Sequence, residues 1–171
     1  MIIRPCLPAD NAQILFVIND GAEAYRGIIP ANCWKEPYMP EAELRKEIAD
    51  GVIFWCAEVD GHIAGVMGIQ HVEDVSLIRH SYVRTDRQGK GIGTAILKRL
   101  QSETDRPVLA GTWAAAQWAV RFYGRNGFTL LLQPEGEILL RRYWKIGDSQ
   151  IMNSVVLGDD KGCAERGSGR T

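Results

Sequence analysis

The sequence is short of several things, and each shortage removes a class of function. It has no surplus of either charge: 20 lysines and arginines face 21 aspartates and glutamates, for a formal net charge of −1. Nucleic acid and anionic membrane are therefore not expected as partners, and a small-molecule ligand fits better. Cysteine is sparse. Cys6, Cys33, Cys56 and Cys163 form no C-x-x-C pair and no disulfide framework, and Cys6 and Cys56, in apolar stretches, read as buried thiols. The three histidines, His62, His71 and His80, recur nine residues apart across a hairpin and the following strand, so no metal site is expected. No apolar run reaches membrane-spanning length, and Met1-Ile2-Ile3-Arg4-Pro5 lacks the apolar core of a signal peptide. A cytoplasmic location is the default expectation.

What is present suits one globular domain. Hydrophobic residues make up 46% of the chain and charged residues 24%, ordinary values for a single packed core. A short β-branched strand opens the chain at residues 2–4. A helix is predicted over residues 10–24, with Ile14, Leu15 and Ile18 on one face and Asp10 as N-cap. Residues 25–40, with their prolines and aromatics, read as a structured loop, and a second helix follows to Ala49. Asp60-Gly61 between two apolar runs is a strong hairpin signal, and residues 75–83 add a third antiparallel strand. A helix using Ile92, Ile96, Leu97 and Leu100, a strand at 107–112, a helix at 114–126 and a strand at 128–132 come next. Residues 137–144 fit a helix better than a strand, and residues 151–157 read as a last strand. The expected fold is α+β, a mixed and largely antiparallel sheet flanked by helices, over residues 1–157. Residues 158–171 are expected to be a disordered polar tail.

The most informative stretch is Gln88-Gly89-Lys90-Gly91-Ile92-Gly93, set between an apolar strand and an apolar-periodic helix. Glycines let the backbone approach a ligand, and the first helical turn offers unpaired N–H groups and the positive end of the dipole to an anion. Walker A needs G-x-x-x-x-G-K-[ST], but here Lys90 is followed by Gly91 and no earlier glycine has the required spacing. The dinucleotide fingerprint G-x-G-x-x-G fails on spacing and on its antiparallel context. The pattern Q/R-x-x-G-x-G/A is met by Gln88, Gly91 and Gly93. Downstream, Ala119-x-x-Phe122-Tyr123-x-x-x-Gly127-Phe128 supplies a second match, A-x-x-F-Y-x-x-x-G-F. With these two motifs and the element order, the chain resembles the GNAT superfamily of acyl-CoA-dependent N-acetyltransferases over about residues 2–157.

That resemblance implies acetyl-CoA as the acyl donor and no metal. Backbone N–H groups of Gln88, Gly89, Lys90, Gly91, Ile92 and Gly93 would bind the CoA pyrophosphate. Val83 would pair its backbone with the pantetheine arm. Arg84, Arg87 and Lys90 would add positive charge, although such a cluster is equally a solvated turn. Acetyl transfer needs a neutral amine and an acid for the departing thiolate. Tyr123 stands where family members commonly place that acid, and it would also make a good core residue. His80 is the candidate base, since Ile78, His80 and Tyr82 share a strand face before Val83; a plain structural role is equally open, and Glu73 and Glu23 are further candidates. Backbone N–H groups after His80 would hold the oxyanion.

One departure from the family pattern falls in the second motif. Many relatives carry Asn seven residues before the tyrosine; here Ala116 stands there, and Gln117 is turned about 100° around the helix. Tyr25, Arg26 and Trp34 are the candidate acceptor-binding residues, with Arg26 available to pair with an acceptor carboxylate. The expected acceptor is a primary amine on a small molecule or a protein terminus. The rival readings are a non-catalytic acyl-CoA-binding domain and a nucleotide-binding protein. A homodimer is permitted by the apolar run 151–157 and the exposed aromatics.

Overall fold

A computed structural model describes residues 1–161. Its seven-stranded sheet has the order β1-β2-β3-β4-β5-β7-β6. The strands are β1 (Ile2–Pro5), β2 (Ile53–Val59), β3 (His62–Val72), β4 (Val75–Val83), β5 (Val108–Trp113), β6 (Thr129–Leu131) and β7 (Ser154–Gly158). The helices are α1 (Asn11–Ala22), α2 (Glu41–Ala49), α3 (Ile92–Ser102), α4 (Gln117–Arg125), α5 (Glu135–Tyr143) and α6 (Asp148–Met152). Two compact units share these elements. One contains residues 1–26, 34–71 and 78–105, and the other contains 27–33, 72–77 and the chain from Arg106 onward.

In the first unit, β1 pairs with β2 and β2 with β3, both antiparallel. Asp60 and Gly61 have φ of 53° and 76°, the two left-handed residues that a tight two-residue hairpin requires. Ile14, Val17 and Ile18 of α1 pack with Leu44 of α2, Phe54 and Cys56 of β2, and Ile63 and Val66 of β3. The helical expectation for α1 is met, but its cap is not. Asp10 has no side-chain bond to the helix. Its carboxylate instead accepts from Arg4 and from the Leu7 N–H, ending a short turn of 3₁₀ helix at Pro8–Asp10. A strand arginine outbids the helix for this carboxylate because a charge-assisted, bidentate bond is stronger than a neutral cap. The helical run also stops at Ala22, with a separate 3₁₀ turn at Glu23–Tyr25.

In the second unit, β7 lies between β5 and β6 and is antiparallel to both. Leu109, Leu139, Leu140, Tyr143, Trp144, Ile151 and Val156 form its core. Gly111 of β5 admits the Trp144 ring, which would lie 3.2 Å from any added Cβ. Tyr143 donates to Asp74 at 2.7 Å; burial and this carboxylate push its phenol up to about 12. The segment read as one strand over 151–157 is divided: Ile151 belongs to α6, its N–H bonded to Gly147 O, and the strand begins only at Ser154. β-branched character misled here, because burying Ile151 against α5 and β7 decides its conformation, not intrinsic propensity.

The expected ordered boundary at residue 157 also shifts. Gly158 closes β7, and the buried Asp159 exchanges hydrogen bonds with Val108, its N–H donating to Val108 O and its carboxylate accepting from Val108 N. The rest of the expected tail, residues 162–171, lies outside the described residues. Because β7 is paired on both sides, it offers no free edge for the dimer that residues 151–157 had suggested.

Candidate functional site

The glycine turn is built on β3, β4 and α3. Gly89 and Gly91 have φ of 74° and 77°, backbone that an L side chain adopts only under strain, and open space lies where each Cβ would stand. Gly91 is the N-cap of α3, an 11-residue helix with no acidic residue in its first turn. The first N–H groups therefore point outward beside the positive end of the dipole, with no carboxylate competing for an anion. The helix start is positioned by Gly65 of β3: a Cβ there would sit 2.8 Å from Ile92 Cγ2, so its absence lets α3 press on the strand. Gln88 folds the turn back, its amide donating to Val83 O at 3.2 Å, and the Arg84 N–H is bonded to Ala64 O.

The basic side chains of this turn are not spare. Arg84 makes two bonds to Asp86 at 3.0 and 3.1 Å, and its guanidinium lies over the Phe16 ring. Arg87 is 3.6 Å from the same carboxylate, and Lys90 reaches Asp86 O at 3.4 Å. The Asp86 carboxylate thus neutralises much of the charge that was expected to meet CoA phosphates.

Nine residues before Gly89, β4 is interrupted. Among the described residues three non-glycines have left-handed backbone; Asp60 and Glu73 occupy tight turns, whereas His80, with φ of 49°, lies inside a strand. Gly68 of β3 makes room, since a Cβ there would lie 3.1 Å from Arg79 O. The even alternation expected for Ile78, His80 and Tyr82 therefore breaks at His80. Its imidazole stacks on Phe54, with centroids 5.9 Å apart, and its Nε2 lies 3.2 Å from Glu47 Oε2. That nitrogen is buried and has no hydrogen-bond partner of good geometry, so the Glu47 carboxylate acts on it through the proximity of its charge. Burial pushes the Glu47 carboxyl up, and His80 with Arg79 more than offsets this, holding it below the ordinary carboxylate range. Glu47 carried no sequence signal; it stands on α2, more than thirty residues from His80, and only folding joins them.

The proposed acceptor residues of the early loop are brought together, but differently from expectation. Tyr25 is buried and edge-on to Tyr82, and Trp34 packs against Tyr38. Arg26 is held by Glu23 and Glu36 and lies over the Trp34 ring at 4.6 Å. Its charge is thus paired within the loop, so meeting an acceptor carboxylate would mean exchanging these half-exposed partners. Glu23 as a candidate base is likewise committed to Arg26, and Glu73 to Arg142.

In the second unit, Tyr123 is buried on α4 and packs against Phe122 and Phe128, the hydrophobic role the sequence allowed. Gly127, with φ of 85°, ends that helix as expected. Ala116 is fully buried at the start of α4, while the Gln117 amide donates to Ala114 O at 2.7 Å. Gln117 therefore ties down its own turn at the start of α4. A cavity of about 400 Å³, unforeseen in the sequence, is lined by Ile28, Ile29, Pro30, Trp113, Ala114, Ala115 and Asn153.

Cys6, Asp10 and Cys56 place their ligand atoms within 4.8 Å of one another, a cluster that histidine spacing did not anticipate. Both Asp10 oxygens accept from Arg4, whose guanidinium already supplies the balancing cation. Its hydrogen bond with Cys56, together with burial, holds the Cys6 thiol well above the ordinary range.

A family model described as an acetyltransferase (GNAT) domain matches residues 19–138. No curated protein matches the sequence. Among solved structures, a GNAT-family acetyltransferase from Staphylococcus aureus superposes with a TM-score of 0.70 at 15% identity, covering 94% of this chain and 98% of its own. The PaiA N-acetyltransferase of Thermoplasma acidophilum, solved with coenzyme A, gives 0.69 at 16% identity, with 92% and 97% covered. A ribosomal-protein-alanine N-acetyltransferase from Brucella melitensis gives 0.65 at 19%, with 93% and 99% covered. The family match takes in the glycine turn, the interrupted strand and the Phe122-Tyr123 helix, and on it the chain belongs to the GNAT acetyltransferase family.

Proposed function

We propose that the protein transfers the acetyl group of acetyl-CoA to a primary amine, on a small molecule or a protein terminus, by direct attack within a ternary complex. The observation that carries this reading is the pair of left-handed glycines opening α3, with open space beside both. Such a turn suits a pyrophosphate bound through backbone N–H groups, and the coenzyme A complex of the Thermoplasma acidophilum protein supports the same donor here.

In the proposed reaction, the neutral amine attacks the thioester carbonyl and a new C–N bond forms. His80 takes the proton the nitrogen loses, directly or through one water. Backbone N–H groups beyond the interruption at His80 stabilise the oxyanion. When the C–S bond breaks, Tyr123 gives the thiolate its phenolic proton. Val83 pairs with the pantetheine arm; a carbonyl has two acceptor sites, so the bond from Gln88 leaves one.

The test is thiol release from acetyl-CoA against a panel of amines and N-terminal peptides. Turnover with some of them is expected. Saturable acetyl-CoA binding with no amine raising thiol release would replace this reading with the non-catalytic one. Thermal stabilisation by ATP or NAD but not by CoA would overturn the donor as well. Tyr123→Phe is expected to lower turnover about a hundredfold with CoA affinity unchanged; an unchanged rate across pH removes Tyr123 from the mechanism.

A further inference from the structure

We infer that Glu47 is a positioning residue for His80, fixing which ring nitrogen carries the proton and stabilising the imidazolium formed as the acceptor amine is deprotonated. The inference rests on the acetyl-transfer reading above and adds to it a residue on a different element.

The starting point is the strand interruption. Left-handed backbone inside a strand is costly for a residue with a side chain, and it persists only where surroundings hold it. Here the surroundings can be named. Phe54 stacks on the imidazole. Gly68 leaves space for the displaced Arg79 carbonyl. Arg79 spans the neighbouring elements, one arm on Gln70 Oε1 at 2.6 Å and the other on Glu47 Oε2 at 2.7 Å. Gln70 in turn donates to Asp50 O at the end of α2. Glu47 is thereby anchored before it meets His80, and its Oε2 serves both Arg79 and His80 Nε2.

The side chains of Arg79, His80 and Glu47 are 16%, 16% and 19% exposed, so their charges are only partly screened by water. A carboxylate 3.2 Å from Nε2 favours the tautomer with the proton on that nitrogen. Nδ1 then keeps its lone pair and is the nitrogen that takes the amine proton. Once it does, the new positive charge lies beside Glu47. Arg79 faces the same carboxylate from β4, and Asp50 adds negative charge from the end of α2. These groups, with Glu47, are the charges around the pair, and no step requires Glu47 itself to take up a proton.

A purely structural role makes a different prediction, since Glu47 would then only tie α2 to Arg79. Glu47→Gln keeps an oxygen for Arg79 and removes the charge. Expected are a fall in kcat of about tenfold or more, by the logic of an orienting carboxylate behind a catalytic histidine, unchanged CoA affinity, and movement of the acid limb of the pH–rate profile to lower pH. In a His80→Gln background, the same Glu47→Gln change should add little. An equal fold-loss in both backgrounds, or an unmoved acid limb, overturns the proposal. A readout independent of turnover is the NMR titration of the His80 ring in wild type and Glu47→Gln. The midpoint should move to lower pH in the variant, with the Nε2–H tautomer dominant only in wild type. Unchanged ring signals sink the positioning role even if the enzyme is active. Shifted ring signals with no amine turned over uphold the pairing and fault the acetyl-transfer reading instead.

Discussion

Of the places in the first unit where the chain enters the left-handed region, Gly91 and His80 do so at opposite expense. At Gly91 the conformation carries no side-chain penalty, and open space lies beside it. At His80 the same hand is imposed on a residue with a ring, inside a strand, and is held by Phe54, Gly68 and the Arg79–Glu47 contact. The first is a backbone site, prepared for whatever occupies the space. The second is a side-chain site, in which surrounding structure is used to aim one imidazole. A left-handed turn can thus be made by composition alone, whereas a ring-bearing side chain on the same strained backbone has to be supported by residues remote in sequence.

The sharpest way to break this comparison is His80→Gly. Glycine adopts the observed φ freely, so thermal stability should stay close to wild type, lost stacking on Phe54 being offset by relieved strain. Turnover should fall about a hundredfold or more if the ring acts as base. An unchanged rate would make both left-handed sites mere geometry. Next in size is Gly91→Ala. A left-handed alanine costs about 1–2 kcal/mol, so CoA affinity measured by calorimetry should drop roughly tenfold; full affinity would show that the turn can be re-formed without its glycine.

Acid separates the two sites by charge. Arg4, through its hydrogen bonds, holds the Asp10 carboxyl below its ordinary range despite burial, and His80 and Arg79 do the same for Glu47 against the opposing effect of burial. Both groups have depressed values in the folded protein. Their contribution is therefore complete above the unfolded carboxyl values near pH 4 and is lost as pH falls through the folded ones. Unfolding midpoints in urea should fall by an equivalent of about 1–2 kcal/mol below pH 4. Glu47→Gln should flatten part of that slope, and Gly91→Ala none of it. The smallest effect is expected at Arg26→Ala. Its pairs with Glu23 and Glu36 are about half exposed and screened by water, so stability should hardly change. A large rise in KM for the acceptor would return Arg26 to the acceptor site.

The two motifs were legible because they are local. Gln88 to Gly93 must supply a turn, a helix start and bare backbone within six residues, and Phe122 to Phe128 a helix end and a strand start, so spacing along the chain reports the conformation directly. Element types for β2, β3 and β4 followed from apolar runs and the Asp60-Gly61 turn signal, and that of α3 from its 3.6-residue period, for the same reason. Other features were hidden because they depend on partners far along the chain. Ile151 left its expected strand for a short helix when it packed against α5 and β7, and β7 slipped between β5 and β6, an order no local signal encodes. The pairing of Arg26 with Glu23 and Glu36 likewise came only with the fold.

By itself, then, the sequence determined the family, the glycine turn and the type of most elements, since hydrophobic period, glycine spacing and turn chemistry act over a few residues. Only the tertiary structure decided that β4 is interrupted at His80 and that Asp86 answers the turn's arginines. It alone decided that a carboxylate from α2 lies 3.2 Å from the imidazole. Coulomb forces and packing act through space, and the separation that sets their strength does not exist until the chain has folded.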